Sequence, residues 1–71
     1  MPHVAITMFP GRDDATKKEL ALKVQECLIR ELNVDKKVVS VSIEDIPKDQ
    51  WEESMKKFTG DILFVPPGNE D

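Results

Sequence analysis

The stretch His3-Val4-Ala5-Ile6-Thr7-Met8-Phe9-Pro10-Gly11-Arg12-Asp13-Asp14 decides how this chain folds. From His3 to Phe9 the side chains alternate. Val4, Ile6 and Met8 point to one side, and His3, Ala5, Thr7 and Phe9 to the other. That period of two, rich in β-formers, predicts a strand. Pro10 removes a ladder donor and Gly11 permits a sharp turn, so the strand stops there. Asp13 or Asp14 then caps a helix, with an acidic charge suited to its N-terminal dipole. No Pro or Gly interrupts the chain from there to Leu32. Leu20, Ala21, Val24, Cys27, Leu28 and Leu32 fall within one arc at 3.6 residues per turn. Asn33 is the expected left-handed stop. Leu22 and Ile29 lie off that arc, either as stray surface apolars or as a contact with another subunit.

Working outward, Val38 to Glu44 reads as a second strand. Val39, Val41 and Ile43 form its apolar face, and Ser40 and Ser42 lie opposite. Strand, long helix and strand make a βαβ unit, with parallel strands and a right-handed crossover. After Pro47 the pattern changes. Trp51, Met55 and Phe58 are spaced i, i+4, i+7, which predicts a short second helix of about three turns ended by Gly60. Ile62 to Val65 reads as a short C-terminal strand blocked by Pro66 and Pro67. Residues 66–71 read as a flexible tail. The fold class is therefore α+β, in a single domain over residues 1–71.

A chain of 71 residues sits near the lower limit for a self-sufficient core, burying only about 60% of its unfolded surface. Domains this small usually need disulfides, a metal or association. Cys27 is the only cysteine, so no disulfide forms within the chain. On the apolar stripe it reads as an ordinary buried thiol. One histidine and one cysteine do not make a closed structural metal site. Self-association remains, with the two strands extended into a larger sheet by a second copy. The formal net charge is −4, and the basic residues are dispersed, which argues against nucleic acid as a partner. No apolar run approaches the ~20 residues of a membrane span. No signal peptide is visible. A cytoplasmic setting is expected.

The position with the most chemistry is Pro2. A methionine followed by a small residue is normally trimmed after synthesis. Loss of Met1 would leave a prolyl secondary amine at the chain's start, able to act as a base where an internal proline nitrogen is locked in an amide. Arg12 follows the first strand in a Pro-Gly-Arg turn, and Trp51 comes soon after the second.

These features together resemble the tautomerase superfamily, whose type member is 4-oxalocrotonate tautomerase. Pro2-His3-Val4 and Phe9-Pro10-Gly11-Arg12 are similar to that family's first strand and turn. Val39-Ser40-Val41-Ser42-Ile43-Glu44-Asp45-Ile46-Pro47 and Trp51 are similar to its second strand and the segment after it. The resemblance implies a βαβ core and a cofactor-free isomerase that moves a proton between carbon and oxygen. It gives Pro2 the role of catalytic base. It makes Arg12 the carboxylate-binding arginine, and Trp51 an apolar wall. Where the type member has a second arginine, this chain has Ser40, which argues against a dicarboxylate and for a monocarboxylate such as an aryl 2-oxo acid. The expected substrate is a small, phenylpyruvate-like 2-oxo acid. The helical segment after Pro47 and the Pro-His start are closer to the branch of the dimeric phenylpyruvate tautomerases, so a homodimer is favoured over a hexamer. Ser40 or a backbone N–H would serve as donor to the enolate oxygen. His3 joins the candidate site as the neighbour of Pro2. Two other readings stay open: a decarboxylase or dehalogenase using the same base, and a non-enzymatic oligomeric binding module on the same scaffold.

A general base works best with a pKa near the ambient pH. An ordinary α-amine lies at about 7.7–8.0. Apolar surroundings and a nearby cation both favour its neutral form.

Overall fold

A computed structural model describes residues 1–68 of the chain. The first strand, β1, spans His3–Met8. The chain then turns at Gly11, whose φ of +134° no side-chain-bearing residue adopts comfortably. The helix α1 spans Asp14–Leu32. Its N-cap is Asp13, in extended geometry, and the Asp13 carboxylate accepts from the Thr16 backbone N–H at 2.8 Å. Its C-cap is Asn33 at φ 54° and ψ 52°, the left-handed stop expected of that residue. A 3₁₀ turn over Lys36–Val38 leads into β2, Ser40–Asp45. Pro47 opens a second 3₁₀ turn over Lys48–Gln50, which runs into the short helix α2, Trp51–Met55.

The strands pair in parallel, with His3 opposite Ser40 and Met8 opposite Asp45. The ladder is closed at its ends by Ser40 N–H to the Pro2 carbonyl, at 3.3 Å, and Ile46 N–H to the Met8 carbonyl, at 2.8 Å. Two side chains tie α1 along β2. Lys17 Nζ reaches Asp45 Oδ2 at 2.7 Å, and Gln25 Nε2 donates to the Val39 carbonyl at 3.2 Å. The early helix thus meets the end of β2 and the middle of the helix meets its start, so α1 runs antiparallel to the strands. Val39 and Ile46 are the only residues buried in a single chain, at 6% and 8% exposure, among those described.

Several details differ from the sequence expectation. The strand β2 starts at Ser40 rather than Val38, because Asp35 caps the preceding turn by accepting from Lys37 N–H at 3.0 Å. The second helix is shorter than three turns. Lys56 N–H bonds the Glu53 carbonyl, three residues back, and Phe58 N–H the Met55 carbonyl. This tightening ends α2 early. The C-terminal strand expected over Ile62 to Val65 is not formed. The Ile62 and Leu63 N–H groups both turn back to the Thr59 carbonyl, each at 3.0 Å. A third strand needs a partner edge, and Pro66 and Pro67 bring no donors of their own. Cys27 is exposed, not buried, whereas Ile29 is half-buried. The inner stripe of α1 runs through Lys17, Ala21, Val24, Gln25 and Leu28, which turns Leu20 and Cys27 outward. Pro66 to Gly68 are exposed, and the remainder of the expected tail, 69–71, lies outside the described residues.

The capping hydrogen bonds from Thr16 hold the Asp13 carboxyl below its usual value of 3.8. A depressed carboxyl stabilises the fold above its ordinary pKa, and the contribution is lost as pH falls through the lower, folded value. Asp13→Ala therefore lowers the thermal midpoint at neutral pH. The difference from the parent shrinks in acid, below the folded value, which melting curves across pH will show.

Candidate active site

The chain's chemistry collects at the two ends of β1. At the start, Pro2 is half-buried and its carbonyl is held by Ser40 N–H. Met1, ahead of it, is 96% exposed and packs on little. While Met1 is attached, the Pro2 nitrogen is an amide and carries no basic lone pair. Beside Pro2, the His3 imidazole spans two serines of β2. Its Nδ1 is 2.7 Å from Ser40 Oγ and its Nε2 is 3.0 Å from Ser42 Oγ. All three side chains lie on the sheet face away from α1. Ser42 was not singled out from sequence as a site residue. Its signal was its alternation with Ser40, but only the register could show that one ring reaches both.

At the other end, Phe9 and Trp51 meet edge to face, with centroids 5.0 Å apart at 75°. Lys48 Nζ stands 5.5 Å from the centre of the Phe9 ring. Arg12, in the turn after β1, is exposed. Phe9, which sequence reasoning treated only as a strand residue, is thus the direct neighbour of Trp51. The resemblance makes Trp51 an apolar wall of the site that holds Pro2. Within one chain it lies instead at the far end of the strand, because the segment after β2 continues past the carboxyl end of the parallel sheet.

The seven steps from Pro2 to Phe9 span about 23 Å at the rise of an extended chain. That exceeds what a small 2-oxo acid and an arginine side chain cover together. One chain therefore brings Pro2, His3 and Ser40 into one group and Arg12 and Trp51 into another, and does not join the two.

Between them, on the face opposite α1, lies an open apolar depression of about 620 Å³. Ala5 and Thr7 form its floor, Trp51, Met55 and Phe58 one wall, and Leu63 and Val65 the other. Its size suits a small organic ligand. Among the described residues no group of three or more His, Cys, Asp or Glu side chains is placed to hold a metal ion. Among the described residues no helix is long and apolar enough to cross a membrane.

Residues 2–52 match the family model described as tautomerase enzyme. A probable tautomerase of Xylella fastidiosa is 33% identical over 72 residues, covering 96% of this chain and 88% of that protein. Tautomerase PptA of Klebsiella pneumoniae is 42% identical over 53 residues, covering 73% of this chain and 71% of that protein. A 2-hydroxymuconate tautomerase of Pseudomonas putida is 35% identical over 51 residues, or 72% of this chain and 81% of that one.

Proposed function

As this chain belongs to the tautomerase family and is an enzyme of the isomerase class, we propose that it interconverts the keto and enol forms of a small monocarboxylic 2-oxo acid, phenylpyruvate-like in shape, with Pro2 as general base once Met1 is removed. The observation that carries this reading is the place of Pro2. It stands at the mouth of the parallel ladder, with its carbonyl fixed by Ser40 and only an exposed methionine ahead of it. Removing Met1 sacrifices almost no packing. The family match begins at this same residue.

The mechanism asks little of the protein beyond placement. The neutral prolyl amine takes a proton from the carbon next to the carbonyl. The electron pair of that C–H bond becomes the C=C bond, and the carbonyl π pair moves onto oxygen. The proton on Pro2 then passes to that oxygen, giving the enol. No cofactor takes part. The proline ring fixes the direction of the lone pair, so the amine meets substrate already oriented.

Arg12 supplies the carboxylate grip, through a planar fork suited to two parallel hydrogen bonds. Because Arg12 and Trp51 lie a strand's length from Pro2 in the same chain, the complete site is built from two copies, one giving Pro2 and the other giving Arg12 and Trp51. A homodimer is the smallest assembly that meets this need. The thin single-chain core agrees with it, as do Leu22, Phe64 and Val65, exposed at 48%, 89% and 71%. Ser40, where the type member of the family has a second arginine, favours one carboxylate over two. Arg12→Ala is expected to raise KM for phenylpyruvate by about 10- to 100-fold, the worth of hydrogen bonds to a charged group, while KM for its methyl ester stays nearly constant.

The experiment that tests the activity is direct. Enol phenylpyruvate is added to purified protein and its loss followed by absorbance, which should be faster than in buffer. A rate equal to buffer would remove this substrate class.

A further inference from the structure

The cluster of His3, Ser40 and Ser42 is built in a way that strand pairing alone does not require. In the register, His3 is opposite Ser40, and Ser42 lies opposite Ala5, one pleat further along the same face. The imidazole leans along the sheet and engages both hydroxyls, at 2.7 and 3.0 Å. The three residues are exposed, so the cluster is open to a small molecule.

Counting protons shows what the cluster offers. A neutral imidazole has one N–H and one acceptor nitrogen. One serine then accepts from the ring and keeps its own O–H uncommitted, while the other donates to the ring. The tautomer sets which is which. A doubly protonated ring donates to both serines and leaves both O–H groups uncommitted. In every state at least one hydroxyl hydrogen remains for a third group. Its oxygen is polarised by the ring N–H behind it, which strengthens it as a donor. A hydroxyl so prepared suits an oxygen that gains negative charge.

We propose that Ser40 and Ser42, oriented by His3, are the donors to the oxyanion that develops on the substrate's carbonyl oxygen. This rests on the reading of Pro2 as the base at the neighbouring carbon. The backbone hydrogen bond that closes the ladder, Ser40 N–H to the Pro2 carbonyl, ties the strand that carries the donors to the residue that carries the base. The serine hydroxyls touch the substrate, and His3 is a positioning residue. As Pro2 takes the carbon-bound proton, the electron pair arriving on oxygen meets a serine O–H, and no group beyond substrate and protein is consumed. The step adds to the Pro2 mechanism the stabilisation of the charge that mechanism creates.

The first test is steady-state kinetics on the assembled protein with phenylpyruvate. The Ser40→Ala/Ser42→Ala double variant should lose about 100-fold in kcat, as expected for lost oxyanion donors, with KM little changed. His3→Asn, whose amide replaces the ring nitrogen facing Ser40, should recover part of the rate lost in His3→Ala. Unchanged kcat in the double variant overturns the proposal. So does a rise in KM at constant kcat, which would mean ground-state carboxylate binding. The second test does not need turnover. Oxalate, a planar mimic of the enolate fragment, should shift the ¹⁵N resonances of the His3 ring in the parent and in Pro2→Ala, but not in the double serine variant. If those resonances move in a protein that does not turn over phenylpyruvate, the donor site stands and the substrate assignment fails. If they do not move in the parent, the donor site fails whatever the activity.

Discussion

Pro2→Ala yields a folded protein that ketonises phenylpyruvate at least about 100-fold more slowly than the parent, the usual lower range for a lost general base. The fold survives because the backbone bond that Pro2 accepts, from Ser40 N–H to its carbonyl, is available to alanine as well. The rate falls because an alanyl amine turns freely about its Cα–N bond and presents its lone pair in many directions. The ring of proline holds one. A form that keeps Met1 is expected to be as slow, since its nitrogen is an amide. Circular dichroism alongside the kinetics separates lost chemistry from lost structure. An alanine variant as fast as the parent would mean that the proton is moved by another group.

Phe64→Glu is the second large effect. Phe64 is 89% exposed in the single chain, so a charge there costs the isolated fold little. In an assembly that covers it, a buried unpaired carboxylate is expensive. Loss of an aromatic anchor at an interface raises a dissociation constant by about 30-fold or more. Sedimentation should show the variant shifted to the monomer at concentrations where the parent is assembled. Activity should fall with it, because one chain alone holds Pro2 about 23 Å from Phe9 and the Arg12 turn. Mixing chains gives a sharper form of the result. A heterodimer of Pro2→Ala with Arg12→Ala contains one site with both residues intact, so the mixture should exceed either variant alone. Activity in a monomeric Phe64→Glu protein would show that one chain suffices.

The single chain looks unfinished in other respects. Its radius of gyration is 13.7 Å, where a compact domain of this length has about 11 Å. In the segment after Gly60, Ile62, Leu63, Phe64 and Val65 are all exposed. A two-stranded sheet with both outer edges open is marginal by itself. The second copy proposed above would answer these features and would also join the divided site.

What the sequence disclosed followed the reach of each signal. The termini of α1 were legible because capping is local: Asp13 bonds a group three residues away, and Asn33 stops the helix by its own backbone preference. The parallel βαβ order was legible because a long helix between two strands leaves few other connections. The facing of α1 was not fully legible. Lys17 and Gln25, polar residues that apolar periodicity ignores, occupy its inner stripe through Asp45 and the Val39 carbonyl. They roll Cys27 outward and Ile29 inward. The C-terminal strand misled because apolar β-formers predict pairing without saying with what. At the candidate site, the residue types were readable from Pro2, Arg12, Trp51, Ser40 and His3. Their grouping was not, since the register that joins His3 to Ser40 and Ser42 and parts Pro2 from Trp51 is a property of pairing across 37 residues or more.

The central claim is that a free prolyl amine does the work, and the intact mass of the active protein tests it most directly. Protein that turns over phenylpyruvate should weigh one methionine residue less than the full translation product. Fully active material whose mass still includes Met1 would contradict the account.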